Sequence, residues 1–220
     1  MRLAAARSAD TTVAWRLLTQ RLSESLPYRE FQQPHFGAQF SFAADPRLIE
    51  MLPVAPRAAA VLVGITPPAA NEEPGILLTV RAAHLRQHAG QISFPGGSID
   101  ATDSGPVAAA MREAYEEVGL APGSASLLGF LPDQYVLTGF RITPVVAQLP
   151  TDFTPRLADQ EVQASFVLPL SVLLDPATER SSTRKVAGID VAVRDLQYGE
   201  HRIWGATAGM LFTLRALALS

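Results

Sequence analysis

The chain has 220 residues, 48% of them hydrophobic and 18% charged, with 18 Lys+Arg against 21 Asp+Glu, a formal net charge of -3 and no cysteine. That length suits one large domain, or one domain with an extension, able to bury a full core without covalent staples. The absent cysteines exclude a thiolate nucleophile, a Cys-based zinc or iron–sulfur site and a disulfide framework, and they fit a reducing compartment; near-balanced charge speaks against a general nucleic-acid binder.

In chain order, the first ten residues lack the apolar stretch of a secretory signal. No apolar run approaches the roughly 18 residues that a spanning helix needs, and the final Ala-Leu-Ser is not a peroxisomal address. A soluble, cytoplasmic protein without membrane or nucleic-acid partners is expected. From Asp10, a candidate N-cap, Trp15, Leu18, Leu22 and Leu26 recur at helical spacing until Pro27. Residues 27–56 carry Pro27, Pro34, Pro46, Pro53 and Pro56 and read as an irregular connection. Residues 1–56 are therefore expected to form an N-terminal helix and extension ahead of a domain at 57–220.

Beyond Pro56 the pattern becomes short apolar runs bounded by Gly and Pro. Strands are predicted at 59–65, 76–81, 127–131, 142–149 and 162–168, and a hairpin at 185–204 turning near Gly199-Glu200. Two stretches have helical spacing instead. One runs over 106–118, with Val107, Ala110, Met111, Ala114 and Val118 on one face and Gly119 as the stop; the other covers 206–219. The fold class is α/β (α+β), with mixed strands and helices packed on a sheet.

The chain contains no P-loop, no Gly-x-Ser-x-Gly and no His-Glu-x-x-His. Its chemistry concentrates in one block, from Leu77 to Leu120. On a helix, Glu113, Glu116 and Glu117 fall within about 100° of arc, away from the apolar stripe. Left alone, such a cluster repels itself by a few tenths of a kcal/mol per pair, and a Glu pair on a helix is ordinarily just a solvated face. A hard divalent cation reverses the sign, because Mg²⁺ or Mn²⁺ takes carboxylate, carbonyl and phosphate oxygens. Gly96-Gly97, after Phe94-Pro95, reads as a tight bend where a backbone carbonyl can approach such a cation without obstruction by a Cβ. Arg112 is placed to orient a carboxylate or touch a phosphate.

Gly97, five residues, Asp103, eight residues, then Arg112-Glu113-x-x-Glu116-Glu117-x-Gly119-Leu120 resembles the signature box of the Nudix hydrolases. It departs from the general box in having Asp at 103 and one extra residue before Arg112. Both departures are similar to the coenzyme A diphosphatase branch. That branch adds an upstream motif whose fixed positions are met here by Leu77, Leu78, Thr79, Arg81, Ala82, Arg86, Gly90 and Phe94-Pro95-Gly96-Gly97. Later segments around Thr138 to Val146, Glu161-Val162 and Trp204 to Ala208 also follow its order.

The resemblance implies a Nudix fold, a mixed sheet sandwiched between helices. It implies an enzyme that hydrolyses coenzyme A or its derivatives to 4′-phosphopantetheine and adenosine 3′,5′-bisphosphate with Mg²⁺ or Mn²⁺. Glu113, Glu116, Glu117 and the Gly97 carbonyl would hold metal, Arg112 would orient, and Glu113 or Glu161 would take the proton of the attacking water. Arg81 and Arg86, in a stretch without acids from Pro74 to Ile99, suit the substrate phosphates. His84 and His88 are weaker candidates. Phe94 and Tyr135 could stack on adenine, although aromatic residues in strands are more often core. A homodimer is what the superfamily suggests. The alternatives are a Nudix enzyme for another diphosphate, such as ADP-ribose or a dinucleoside polyphosphate, and a non-catalytic nucleotide sensor.

Overall fold

Strand runs that are apolar at successive rather than alternate positions need cover on both faces, and the architecture supplies it. The computed structural model describes residues 2–26, 28, 46–68, 72–84 and 89–220, with side chains from residue 11 onward. The helices are α1 (Arg2–Ser23), α2 (Pro46–Glu50), α3 (Pro106–Val118), α4 (Leu170–Leu174) and α5 (Gly205–Leu219). The strands are β1 (Arg57–Thr66), β2 (Gly75–Arg81), β3 (Ile92–Ser93), β4 (Gly96–Ser98), β5 (Ser126–Phe130), β6 (Gln134–Val136), β7 (Phe140–Gln148), β8 (Val162–Pro169), β9 (Glu179–Val186), β10 (Ile189–Tyr198) and β11 (His201–Ile203).

Strands β1 to β8 form one mixed sheet. β1 runs parallel to β7 from Arg57↔Phe140 to Ile65↔Gln148, and β5 and β6 are antiparallel to β7. The other edge of β1 is shared. Ile65 and Thr66 pair with β2, whereas Ala59, Ala60 and Val61 pair with β4. β2 then diverges from β1 to pair with β3 through Thr79 and Val80, and β8 lies antiparallel along its other edge from Gly75↔Pro169 to Arg81↔Val162. The chain from β3 to β4 fills the wedge between β1 and β2, with the Leu62 amide donating to the Pro95 carbonyl at 2.8 Å.

One face of the sheet, carrying Val63, Ile65, Ile76, Leu78, Val146 and Leu168, is covered by α1, α4 and α5. The opposite face, carrying Ala60, Leu62, Leu77, Val145 and Ala147, packs on Ala109, Ala110, Ala114 and Val118 of α3. The expected mixed sheet between helices is thus present. Among the described residues, no helix is long and apolar enough to cross a membrane.

Several local expectations change. The first helix begins at Arg2 rather than Asp10 and stops at Ser23 rather than Leu26; the Ala4-Ala5-Ala6 run carries high helix propensity back past Asp10. Leu18 and Leu22 are fully buried in the same core as the strands. Ser25, just past the helix, accepts the Phe130 amide of β5 at 2.7 Å. A side chain at Gly129 would stand 2.7 Å from the Leu22 carbonyl carbon, so glycine is what lets α1 lie against β5.

Gly96 and Gly97 are not a bend. They lie in β4, opposite Val61 and Ala60. Gly96 has φ 156°, and a Cβ there would meet the Val61 Cα at 2.6 Å. The glycines permit close approach to a neighbouring strand instead of a reversal. The hairpin at Gly199-Glu200 forms as expected between β10 and β11, but β9 precedes it and pairs along β10. Ala187 and Gly188 both take positive φ, 50° and 83°, as a tight two-residue turn demands. The β9 sequence, Arg180 to Lys185, is polar throughout and so carries no apolar alternation to read. It is held by the Glu179 carboxylate, which accepts from Arg194 Nε at 2.6 Å and Nη2 at 2.8 Å and from Arg215 of α5 at 3.2 Å.

Candidate active site

Helix α3 is fixed in register by its ends. Pro106 occupies the first turn, where a missing amide costs nothing. Gly119 at φ 72° closes the helix in the left-handed conformation, its amide donating to Tyr115 and that of Leu120 to Ala114. The helix packs on β1, β4 and β7, which brings its acidic residues over the β4 wedge.

Arg112 organises the outer half of the cluster. Its Nε and Nη2 donate to the two Asp103 oxygens at 3.1 and 3.0 Å, and Nη2 also reaches the Ser98 carbonyl at 3.1 Å. Its Nη1 donates to Glu113 Oε1 at 3.0 Å and Glu116 Oε2 at 3.1 Å. Asp103 in turn accepts the Asp100 amide at 2.8 Å. The Arg112 guanidinium pulls the Asp103 carboxyl below its ordinary range, and Asp103 raises the affinity of Arg112 for its proton. Arg112 thus orients two carboxylates and anchors the loop to the helix.

The inner half differs. Glu113 sits over Gly97, where a Cβ would stand 2.6 Å from the Glu113 Cδ. Only glycine leaves room for that carboxylate against β4. Burial raises the Glu113 pKa despite its bond to Arg112, with Glu116 and Glu161 adding to the rise. Glu117 is a further departure from expectation. Helical spacing puts it on the acidic arc, away from the apolar stripe, yet it is 3% exposed. It follows Ala110 and Ala114 at i+7 and i+3, along the stripe that faces the sheet. Burial pushes its pKa up to about 7, opposed by Arg81 and the Gly96 amide and reinforced by Glu113 and Glu161.

Arg81, at the end of β2, lies 3.9 Å from Glu117 Oε1 through Nη1. That is an ion pair without a hydrogen bond. Both groups keep an unsatisfied atom, since Arg81 Nε and Glu117 Oε2 are buried without a partner. Glu161 is exposed in the turn just before β8, and its carbonyl accepts the Ala82 amide at 2.9 Å, which places it beside Arg81.

The fold therefore brings together Gly97, Arg112, Glu113, Glu116, Glu117, Arg81 and Glu161, which lie on four different segments. It does not bring Phe94 to them. That ring is 3% exposed within the core on the α1–α5 side of the sheet, so packing explains it and stacking on a base does not. Tyr135 lies on β6, beyond β7 from the wedge. His84 is exposed in the turn after β2. Arg86 and His88 lie outside the described residues. Sequence reasoning gave Asp103 no partner; its clamp on Arg112 depends on the loop path between β4 and α3, which spacing alone does not specify.

The donor set suits a hard divalent cation. It consists of oxygens only, with two carboxyls that burial keeps unwilling to ionise and one orphaned oxygen on Glu117. Among the described residues, no three acidic or histidine side chains converge on one point, because Glu113 and Glu116 turn to Arg112.

The sequence model of a family described as the NUDIX domain matches residues 56–187. A protein of Enterobacter sp. (strain 638) named as an uncharacterized Nudix hydrolase, NudL, is 42% identical over 163 residues, which are 74% of this chain and 82% of its own length. A protein of the same name from Shigella flexneri serotype 5b is 38% identical over 194 residues, 88% of this chain and 97% of its own. Among solved structures, the Nudix hydrolase RenU of M. smegmatis is similar over 51% of this chain and 70% of its own, with 22% identity and a TM-score of 0.44.

Proposed function

The chain belongs to the Nudix hydrolases, and from that premise we propose that it is a diphosphatase for coenzyme A or its derivatives, releasing 4′-phosphopantetheine (or its acyl form) and adenosine 3′,5′-bisphosphate. It is an enzyme of the diphosphatase class. Nudix hydrolases act on small nucleotides with divalent cations; Mg²⁺ or Mn²⁺ suits the oxygen donors here. The observation that carries the reading is the 3.9 Å approach of Arg81 to Glu117. It joins the upstream motif, to which Arg81 belongs, to the signature helix in a single site.

A bound divalent cation would be held by Glu113, Glu116, Glu117 and the Gly97 carbonyl, and would supply charge neutralisation of the diphosphate and activation of a water. The chain's own contribution is placement. Arg112 fixes the Glu113 and Glu116 carboxylates through Nη1, and Asp103 fixes Arg112 through two further bonds. Arg81 offers a partly exposed guanidinium to the substrate phosphates, and Arg86 is assigned the same role by its place in the motif. Glu113 and Glu161 are the groups proposed to accept the proton of the attacking water, Glu161 from an exposed position that needs no desolvation.

The test is product identification. The protein is incubated with Mg²⁺ or Mn²⁺ and, separately, coenzyme A, an acyl-coenzyme A, ADP-ribose and a dinucleoside polyphosphate. Adenosine 3′,5′-bisphosphate from the coenzyme A species is the expected result. Turnover of ADP-ribose or the dinucleoside polyphosphate alone would overturn the coenzyme A reading.

A further inference from the structure

On the α3 side the sheet is covered unequally. Helix α3 lies on β1, β4 and β7, whereas the part of the sheet made by β2, β3 and β8 extends past it. The side chains that point to this face follow from strand parity. Leu77 belongs to the core beneath α3, so Thr79 and Arg81 point the same way. Their cross-strand partners share that face: Ser93 and Ser165 opposite Thr79, and Val167 opposite Leu77. Thr79 is buried and its hydroxyl is committed to the Ser93 carbonyl at 3.1 Å. Ser93 and Ser165 are partly open, and Val167 is 41% exposed. From Arg81, beside Glu117, the face leads in order to hydroxyls and then to an apolar patch. At about 3.3 Å per residue it extends roughly 13 Å from the diphosphate site.

We propose that this open wing holds the uncharged arm of the substrate, the extended amide- and hydroxyl-bearing chain that leaves the diphosphate on the side opposite the nucleoside. The assignment rests on the coenzyme A reading and adds to it which part of the molecule lies where. Its basis is chemical. Among the described residues of the wing, Arg81 is the one cation and it stands at the diphosphate end; the face beyond it presents uncharged side chains, Ser93, Ser165 and Val167, and no ring for a base to stack upon. Phe94 and Phe166, the nearby rings, face the other side of the sheet. Two small hydroxyls beside an exposed valine instead match a neutral chain that carries amides and methyl groups.

The experiment uses the two products as competitive inhibitors of coenzyme A hydrolysis. Ser165→Tyr fills the middle of the wing, and Val167→Glu, at an already exposed position, places a charge at its apolar end without burdening the fold. Both variants are expected to raise the inhibition constant of 4′-phosphopantetheine about tenfold or more while that of adenosine 3′,5′-bisphosphate stays within about twofold. The reverse pattern would assign the wing to the nucleotide and overturn the proposal. So would unchanged constants for both inhibitors in a variant that still hydrolyses coenzyme A. No coenzyme A turnover by the unsubstituted chain would overturn the substrate reading itself, and this inference with it.

Discussion

Replacing Glu117 by Gln should change the pH dependence of stability in a defined direction. In the folded chain Glu117 titrates near 7, against an ordinary value of 4.5, because burial disfavours the carboxylate. Below pH 4.5 the group is protonated in both folded and unfolded chains and contributes no pH dependence. Between there and about 7 the unfolded chain gives up a proton that the folded chain retains, so stability falls as pH rises. Above about 7 both forms are charged and the cost is constant. The interval is about 2.5 pH units at ~1.36 kcal/mol each, a loss on the order of 3 kcal/mol that the Gln variant does not suffer. Other titrating groups, and any fixed effect of the amide on Arg81, cancel when the two proteins are compared at two pH values. Urea unfolding in a chelator at pH 4.5 and pH 8 reads the difference directly. The parent should lose about 3 kcal/mol more than the variant over that range, and roughly 6–12 °C in Tm. Adding Mg²⁺ at pH 8 should recover stability in the parent far more than in the variant. Parallel curves without metal would refute the claim that Glu117 is buried as a reluctant carboxylate.

Three other substitutions test the remaining geometry. Gly97→Ala puts a methyl group against the Glu113 carboxylate; hydrolysis should drop at least tenfold with the far-ultraviolet spectrum intact, and full activity would mean that Glu113 need not sit over β4. Asp103→Asn takes the charge from the Arg112 clamp, and a loss of about 10–100-fold in kcat with weaker Mg²⁺ activation is expected, as for groups that orient metal ligands; a change in substrate KM alone would contradict the positioning role. Leu18→Ala empties a fully buried site between α1 and the sheet and should cost about 2–5 kcal/mol in denaturant unfolding, whereas a cost below about 1 kcal/mol would show α1 to be dispensable to the core.

Much of the fold was legible because its signals are local. The 106–118 helix has its proline at one end, its glycine at the other and an apolar stripe between them, and the structure reproduces those bounds. The strands at 59–65, 76–81 and 142–149 were readable from β-branched runs, within one or two residues of β1, β2 and β7. β9 was not, because an edge strand open to solvent needs no apolar alternation and is held by Arg194 and Arg215, residues 15 and 36 positions away from Glu179. The clustered acids were legible by spacing on one helix; their separate environments were not. Glu116 lies in solvent, Glu113 is mostly covered and Glu117 is inside, and that ranking depends on which face of α3 meets the sheet.

The sequence by itself therefore determined the class of chemistry: acids at helical spacing, a glycine pair, a cation-rich strand end and no cysteine. Those are properties of residue type and short-range order, which a chain carries before it folds. Only the tertiary structure decided that Gly96-Gly97 is a strand in the wedge between β1 and β2, that Asp103 grips Arg112, and that Arg81 meets Glu117. Each of these joins segments from different parts of the chain, and no local pattern encodes their distance. The same long-range packing withdraws Glu117 from water, and that desolvation gives an ordinary glutamate a pKa near 7.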